Sequence, residues 1–268
     1  MGTLILAVTS LFLYSVGTAL QALHFRGRIN SNLAITTLIG ILALISHGLL
    51  IEETVQLDGG FDFGFFKSSE LISWLIVFLL LGLNLRKPVQ NLFLVVYPMA
   101  AISIILALTT HTPSRVVAGD SYGMLAHIAL SVTAYSLFTL AAIQAILLYF
   151  QNRQLKHNYN SLLIRNLPPL QTMESLLFEL VWAGVILLVL AITTGALFVE
   201  DLFAQDLAHK TVFSLLSLVV FVALLIGRYT KGWRGMTASR WTLAGCVLLM
   251  LAFYGSKFVL ELVFTRGG

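Results

Sequence analysis

Cysteine is all but missing. Cys246 is the only one in 268 residues and it lies inside an apolar stretch, which excludes an internal disulfide framework, a CxxC redox pair, a cysteine zinc site and covalent haem attachment through CxxCH. Charge is scarce as well. Asp, Glu, Lys and Arg supply 10% of the chain, where a soluble domain carries about a quarter. Hydrophobic residues reach 58% and the mean hydropathy is +0.92. That much apolar surface leaves no polar exterior, and its natural solvent is lipid. The net charge of +4 comes without a basic cluster interleaved with aromatics, so nucleic acid is not an expected partner. No P-loop, GxSxG or HExxH motif occurs, and Gly232-Trp233-Arg234-Gly235 is too short for a phosphate cradle. With no catalytic constellation in view, the chain is not read as an enzyme.

What the sequence has in abundance is long apolar runs. Those of about 17 to 25 residues mark membrane spans, and eight fall near 3–23, 33–51, 70–85, 92–110, 122–150, 174–199, 211–227 and 241–264. The first run has no basic residue ahead of it and no small-residue cleavage site behind it, which reads as a retained span. No gap has room for a soluble domain, the longest being 151–173. The expected fold is therefore all-α, an eight-helix polytopic bundle forming a single integral membrane domain over 1–268. Eleven of the sixteen Lys and Arg residues occupy the gaps after spans one, three, five and seven. The positive-inside rule puts those gaps in the cytoplasm and both termini outside.

Topology sorts the six histidines. His24 and His157 sit among basic residues in cytoplasmic gaps, and His111 stands where the fourth span leaves the membrane; solvated or headgroup roles account for all three. His47, His127 and His209 are different. Each lies at or about one turn inside the outer end of a different span, within roughly 10 Å of the surface at the helical rise. Imidazole is the usual protein ligand of haem iron, and two from opposing helices complete its axial positions. The alternative is that each histidine bonds a neighbouring helix or faces the interface. Zinc or copper also stays open, since no HxH or HxxxH pair selects a small metal.

Phe61, Phe63, Phe65 and Phe66 crowd the second outer gap, as interfacial anchors or as an interfacial hairpin or short helix under a flat ligand. Lys257 and Glu261 are four apart on the last span, a spacing that suits a structural pair or a clamp for a propionate. Elsewhere the middle of most spans is free of charge, which argues against an ion or solute path.

The order of landmarks carries a resemblance. Ser68-Ser69-Glu70-Leu71-Ile72-Ser73-Trp74 follows the aromatic gap, then come His127-Ile128-Ala129-Leu130-Ser131-Val132-Thr133-Ala134-Tyr135-Ser136, the run 178–195, His209-Lys210-Thr211 and Gly232-Trp233-Arg234-Gly235. In this the chain resembles the cytochrome c assembly family of haem-handling membrane proteins (the CcsA and CcmC type), and within it the short YpjD-like inner-membrane branch, neighbour to the HemX-like proteins. The resemblance implies that His127 is an outer haem ligand, that Tyr135 belongs to the context following it, and that His209 is the second candidate. Three family features are absent. The gap 199–208 holds no tryptophan, Leu225-Ile226-Gly227-Arg228 lacks a histidine before the arginine, and none follows the final span. These losses bear on delivery of haem to a cytochrome more than on its ligation.

The leading expectation is a haem-binding or haem-handling protein of the bacterial inner (plasma) membrane. Non-covalent haem b would take His127 and His209 as axial ligands, with His47 as reserve ligand or hydrogen-bond partner and Lys210 or Lys257 as propionate partners. The alternatives are a HemX-like accessory or regulatory subunit that contacts another membrane protein, and, last, a small-solute or ion transporter.

Overall fold

In the lipid interior no water is available to the backbone, so each apolar run must satisfy its own N–H and C=O groups by forming a helix. The computed structural model describes residues 2–28, 33–57, 60–62, 64–110, 116–118, 122–157, 167–198 and 208–255. Its elements are α1 (Gly2–Phe25), α2 (Leu33–Val55), β1 (Gln56–Leu57), β2 (Gly60–Asp62), α3 (Phe65–Asn84), α4 (Gln90–Thr109), β3 (Val116–Ala118), α5 (Tyr122–His157), α6 (Leu170–Phe198), α7 (Ala208–Lys231) and α8 (Gly235–Met250), the last running into a π-helical turn at Leu251–Gly255. Among the described residues, eight helices are long and apolar enough to cross a membrane, as expected. Their bounds differ from the apolar runs. The third starts at Phe65, ahead of Lys67 and Glu70, because a helix continues through polar residues once its first turn is made. α5, α7 and α8 likewise reach past the apolar runs into basic sequence.

Contacts divide the chain into two compact units, Met1–Gly119 and Asp120–Gly268. In the first, α1 packs on α2 and α4, and α3 packs on α2 and α4. Its centre is aromatic: Tyr97 of α4 lies 5.4 Å from Tyr14 and 4.9 Å from Phe93, ring centre to ring centre. Gly17 of α1 and Gly40 of α2 admit the Tyr97 side chain, since a Cβ at Gly17 would stand 2.7 Å from its ring and one at Gly40 would strike its hydroxyl. Trp74 Nε1 donates to the Leu44 carbonyl at 2.9 Å and so ties α3 to α2. The second outer gap forms part of a small antiparallel sheet in the order β1-β2-β3, with Phe61 on β2 and Phe65 and Phe66 opening α3. Buried Asp62 closes it onto α3, accepting from the Gly64 N–H at 2.9 Å and from Lys67 Nζ at 2.7 Å.

In the second unit α5 packs along α6 and also against α8, and α7 packs on α8 and α6. Phe138 of α5 and Phe221 of α7 stack at 4.0 Å, with Gly184 and Gly245 leaving room beside them. Buried amides and hydroxyls find backbone acceptors on neighbouring segments: Gln144 bonds the Met173 carbonyl, Gln151 that of Pro168, and Ser217 that of Gly245. Glu174 of α6 accepts from the Gly235 N–H at 2.7 Å, placing a carboxylate on the donors exposed at the start of α8. Leu4, Ile5, Val8 and Phe12 on α1, like Ile186, Val189 and Leu190 on α6, stay exposed and suit contact with lipid chains.

Candidate functional site

His127 is the sixth residue of α5, about 7 to 8 Å along the helix. Its Nδ1 lies 2.8 Å from the Ala191 carbonyl of α6, and the Thr194 hydroxyl stands 3.5 Å away. A carbonyl can only accept, so Nδ1 carries the proton and Nε2 keeps the lone pair. Gly195 lets the imidazole lie flat on α6, because a Cβ there would be 2.8 Å from Cε1 and 3.1 Å from Nδ1. A ring held through one nitrogen by a backbone carbonyl, with the other nitrogen presented as a base, is the arrangement usual for metal-ligating histidines. The residue is half-buried.

His209 is the second residue of α7. Its Nε2 is buried and has no hydrogen-bond partner among the described residues, an orphan that calls for explanation. Lys210 follows, half-buried. Tyr135 is buried two turns beyond His127, where its ring meets Phe253 at 5.3 Å and Tyr254 at 5.6 Å. Tyr135 therefore belongs to the packing between α5 and the π turn. No hydrogen bond, ion pair or ring contact found among the described residues joins His127, His209 and Tyr135 to one another. Lys257, its neighbour Glu261 and His111 lie outside the described residues.

His47 belongs to the first unit and is fully buried. Its Nδ1 lies 3.1 Å from Tyr14 Oη, and its Nε2 faces Glu70 Oε1 at 3.8 Å. One nitrogen is thus hydrogen-bonded within the protein, and the other faces a carboxyl group without a hydrogen bond. Among the described residues, no group of three or more His, Cys, Asp or Glu side chains is arranged to hold a metal ion. What reasoning from sequence missed is the support of His127. Ala191 contributes a backbone oxygen and Gly195 an absent side chain, and the only trace of them is the run of small residues in Ala191-Ile192-Thr193-Thr194-Gly195.

The family profile described as cytochrome C assembly protein matches residues 35–264. The chain belongs to this family. Among its relatives in the cytochrome c assembly family, inner membrane protein YpjD of Escherichia coli (strain K12) is 30% identical over 263 residues, covering 97% of this chain and 99% of that one. Protein HemX of Brevibacillus brevis is 28% identical over 183 residues, 68% of this chain and 62% of its own length. An uncharacterized 28.8 kDa protein of Azospirillum brasilense is 35% identical over 160 residues, 58% of this chain and 59% of its own. No solved structure matches this cytochrome c assembly family member.

Proposed function

We propose that this member of the cytochrome c assembly family handles haem in the bacterial inner membrane, holding haem b near the outer face through His127 and His209. The observation that carries the reading is the His127 imidazole, seated on Gly195 with Nδ1 bonded to Ala191 and Nε2 left as a base. The orphaned His209 Nε2 offers a second donor of the same kind, and imidazole nitrogen is the usual protein donor to haem iron. Bound haem supplies an iron centre able to change redox state. The protein's part is to fix the imidazole tautomer, keep the ring from rotating, and exclude bulk water with the surrounding apolar helices. Lys210, which follows His209, and Lys257 are the candidate cations for the propionates. The inner-membrane assignment rests on the eight spans and on the name of the E. coli relative.

The test is an absorption spectrum of the detergent-purified protein, oxidised and dithionite-reduced, beside His127→Ala and His209→Ala. A Soret band with sharp reduced α/β bands is expected, and either substitution removes the low-spin signature. A double variant that purifies with undiminished haem refutes the ligand assignment. A colourless protein that also fails to take up haemin favours the accessory-subunit reading, for which stoichiometric co-purification of another membrane protein is the next observation.

A further inference from the structure

Tyr14, His47 and Glu70 come from α1, α2 and α3 and meet in the first unit with none of the three side chains exposed. Tyr14 Oη lies 3.1 Å from His47 Nδ1, with the two rings edge-on at 5.7 Å. Across the ring, His47 Nε2 and Glu70 Oε1 are 3.8 Å apart. Nε2 and both carboxyl oxygens have no hydrogen-bond partner among the described residues. The pair has ionisable neighbours, and Lys67 acts electrostatically on Glu70. α4 contributes Tyr97, whose hydroxyl is likewise unpartnered, and Lys67, three residues before Glu70, is bound to Asp62 at 2.7 Å. Glu52 and Glu53 at the end of α2 are exposed.

A bare carboxylate within a membrane span is heavily penalised, and so is a lone imidazolium. Two arrangements escape the penalty: a carboxylic acid beside a neutral imidazole, or a carboxylate paired with an imidazolium. Both have no net charge, and both hold one proton more than a carboxylate beside a neutral imidazole. We propose that His47 and Glu70 form a proton-binding site, in which one dissociable proton is held between Nε2 and the carboxyl group while Tyr14 steadies the imidazole through Nδ1. Passing the proton across the gap breaks the Glu70 O–H bond and makes the His47 Nε2–H bond, with no other reactant. In the imidazolium form Nδ1–H donates to Tyr14 Oη. Glu70 lies about 7 to 8 Å along α3 from its start, so water at the end that carries the sheet is the source of the proton.

The site uses neither His127 nor His209, and its test reads protons directly. Infrared difference spectra of the purified full chain, in water and in D2O across about pH 5 to 9, are compared with those of Glu70→Gln and His47→Gln. The expected wild-type signal is a titrating, deuterium-sensitive carboxylic acid band or imidazolium band. Glu70→Gln abolishes it, and His47→Gln leaves an acid band that persists at least one pH unit higher. Spectra of wild type and Glu70→Gln that superimpose across the range overturn the proposal. If Glu70→Gln does not fold, Tyr14→Phe decides the matter: it keeps both titrating groups, and its titration must move from that of wild type. An unmoved titration also overturns the proposal.

Discussion

Gly195 has a duty that no side chain could perform, because the His127 imidazole occupies the space beside its Cα. Gly195→Val is expected to push the ring off α6 and break its bond to the Ala191 carbonyl. On the proposed function, haem retained per mole of protein then falls about tenfold or more, the usual effect of removing support behind a metal ligand, while helix content by circular dichroism is unchanged. Undiminished Soret absorbance in this variant would show that the Ala191 bond does not set ligand strength. His127 itself was singled out by its depth in the span and by the residues that follow it. Its acceptor was not, since a backbone oxygen has no signature in sequence. The Glu70–His47 pairing escaped notice for another reason. The polar residues of spans two and three are few among long apolar runs, so they mark poorly how each helix is rotated, and packing decides which residues face each other.

At the scale of the helix, apolar length alone made the eight spans legible, because backbone satisfaction in lipid permits little else. Their ends were less so, as capping and the first turns draw on polar residues that composition assigns to gaps. Strands of two and three residues such as β1 and β2 are too short to show a period. Close approach of helices is equally hidden in sequence, and it makes glycines unequal. Gly17→Ala and Gly40→Ala each drive a methyl group into Tyr97 and are expected to destabilise the protein by about 1–3 kcal/mol. Gly82→Ala meets nothing within 4 Å and is expected to be neutral or stabilising by up to about 1 kcal/mol. Thermal unfolding in one detergent, read by loss of helical circular dichroism, ranks the three variants; equal midpoints would show that Tyr97 yields freely.

For the molecule as a whole, the uneven distribution of Lys and Arg makes a topology prediction. Alkaline phosphatase fused after the last span is expected to be active, and a green fluorescent protein fusion at the same point dark, because the basic gaps hold to the cytoplasm. The reverse pattern would invert the bundle and move His127 to the inner face. Family membership was legible from the order of helices and the context of the histidines, and a relative 30% identical over 263 residues bears it out. The Glu174–Gly235 bond also imposes a sequence of events on biosynthesis. The carboxylate and the amide it receives are 61 residues apart, so α6 leaves the ribosome well before α8. A growing chain halted between them displays a carboxylate whose partner has not yet been made. Translation thus builds the socket first, and α8 is the plug whose arrival reports that the second unit has closed.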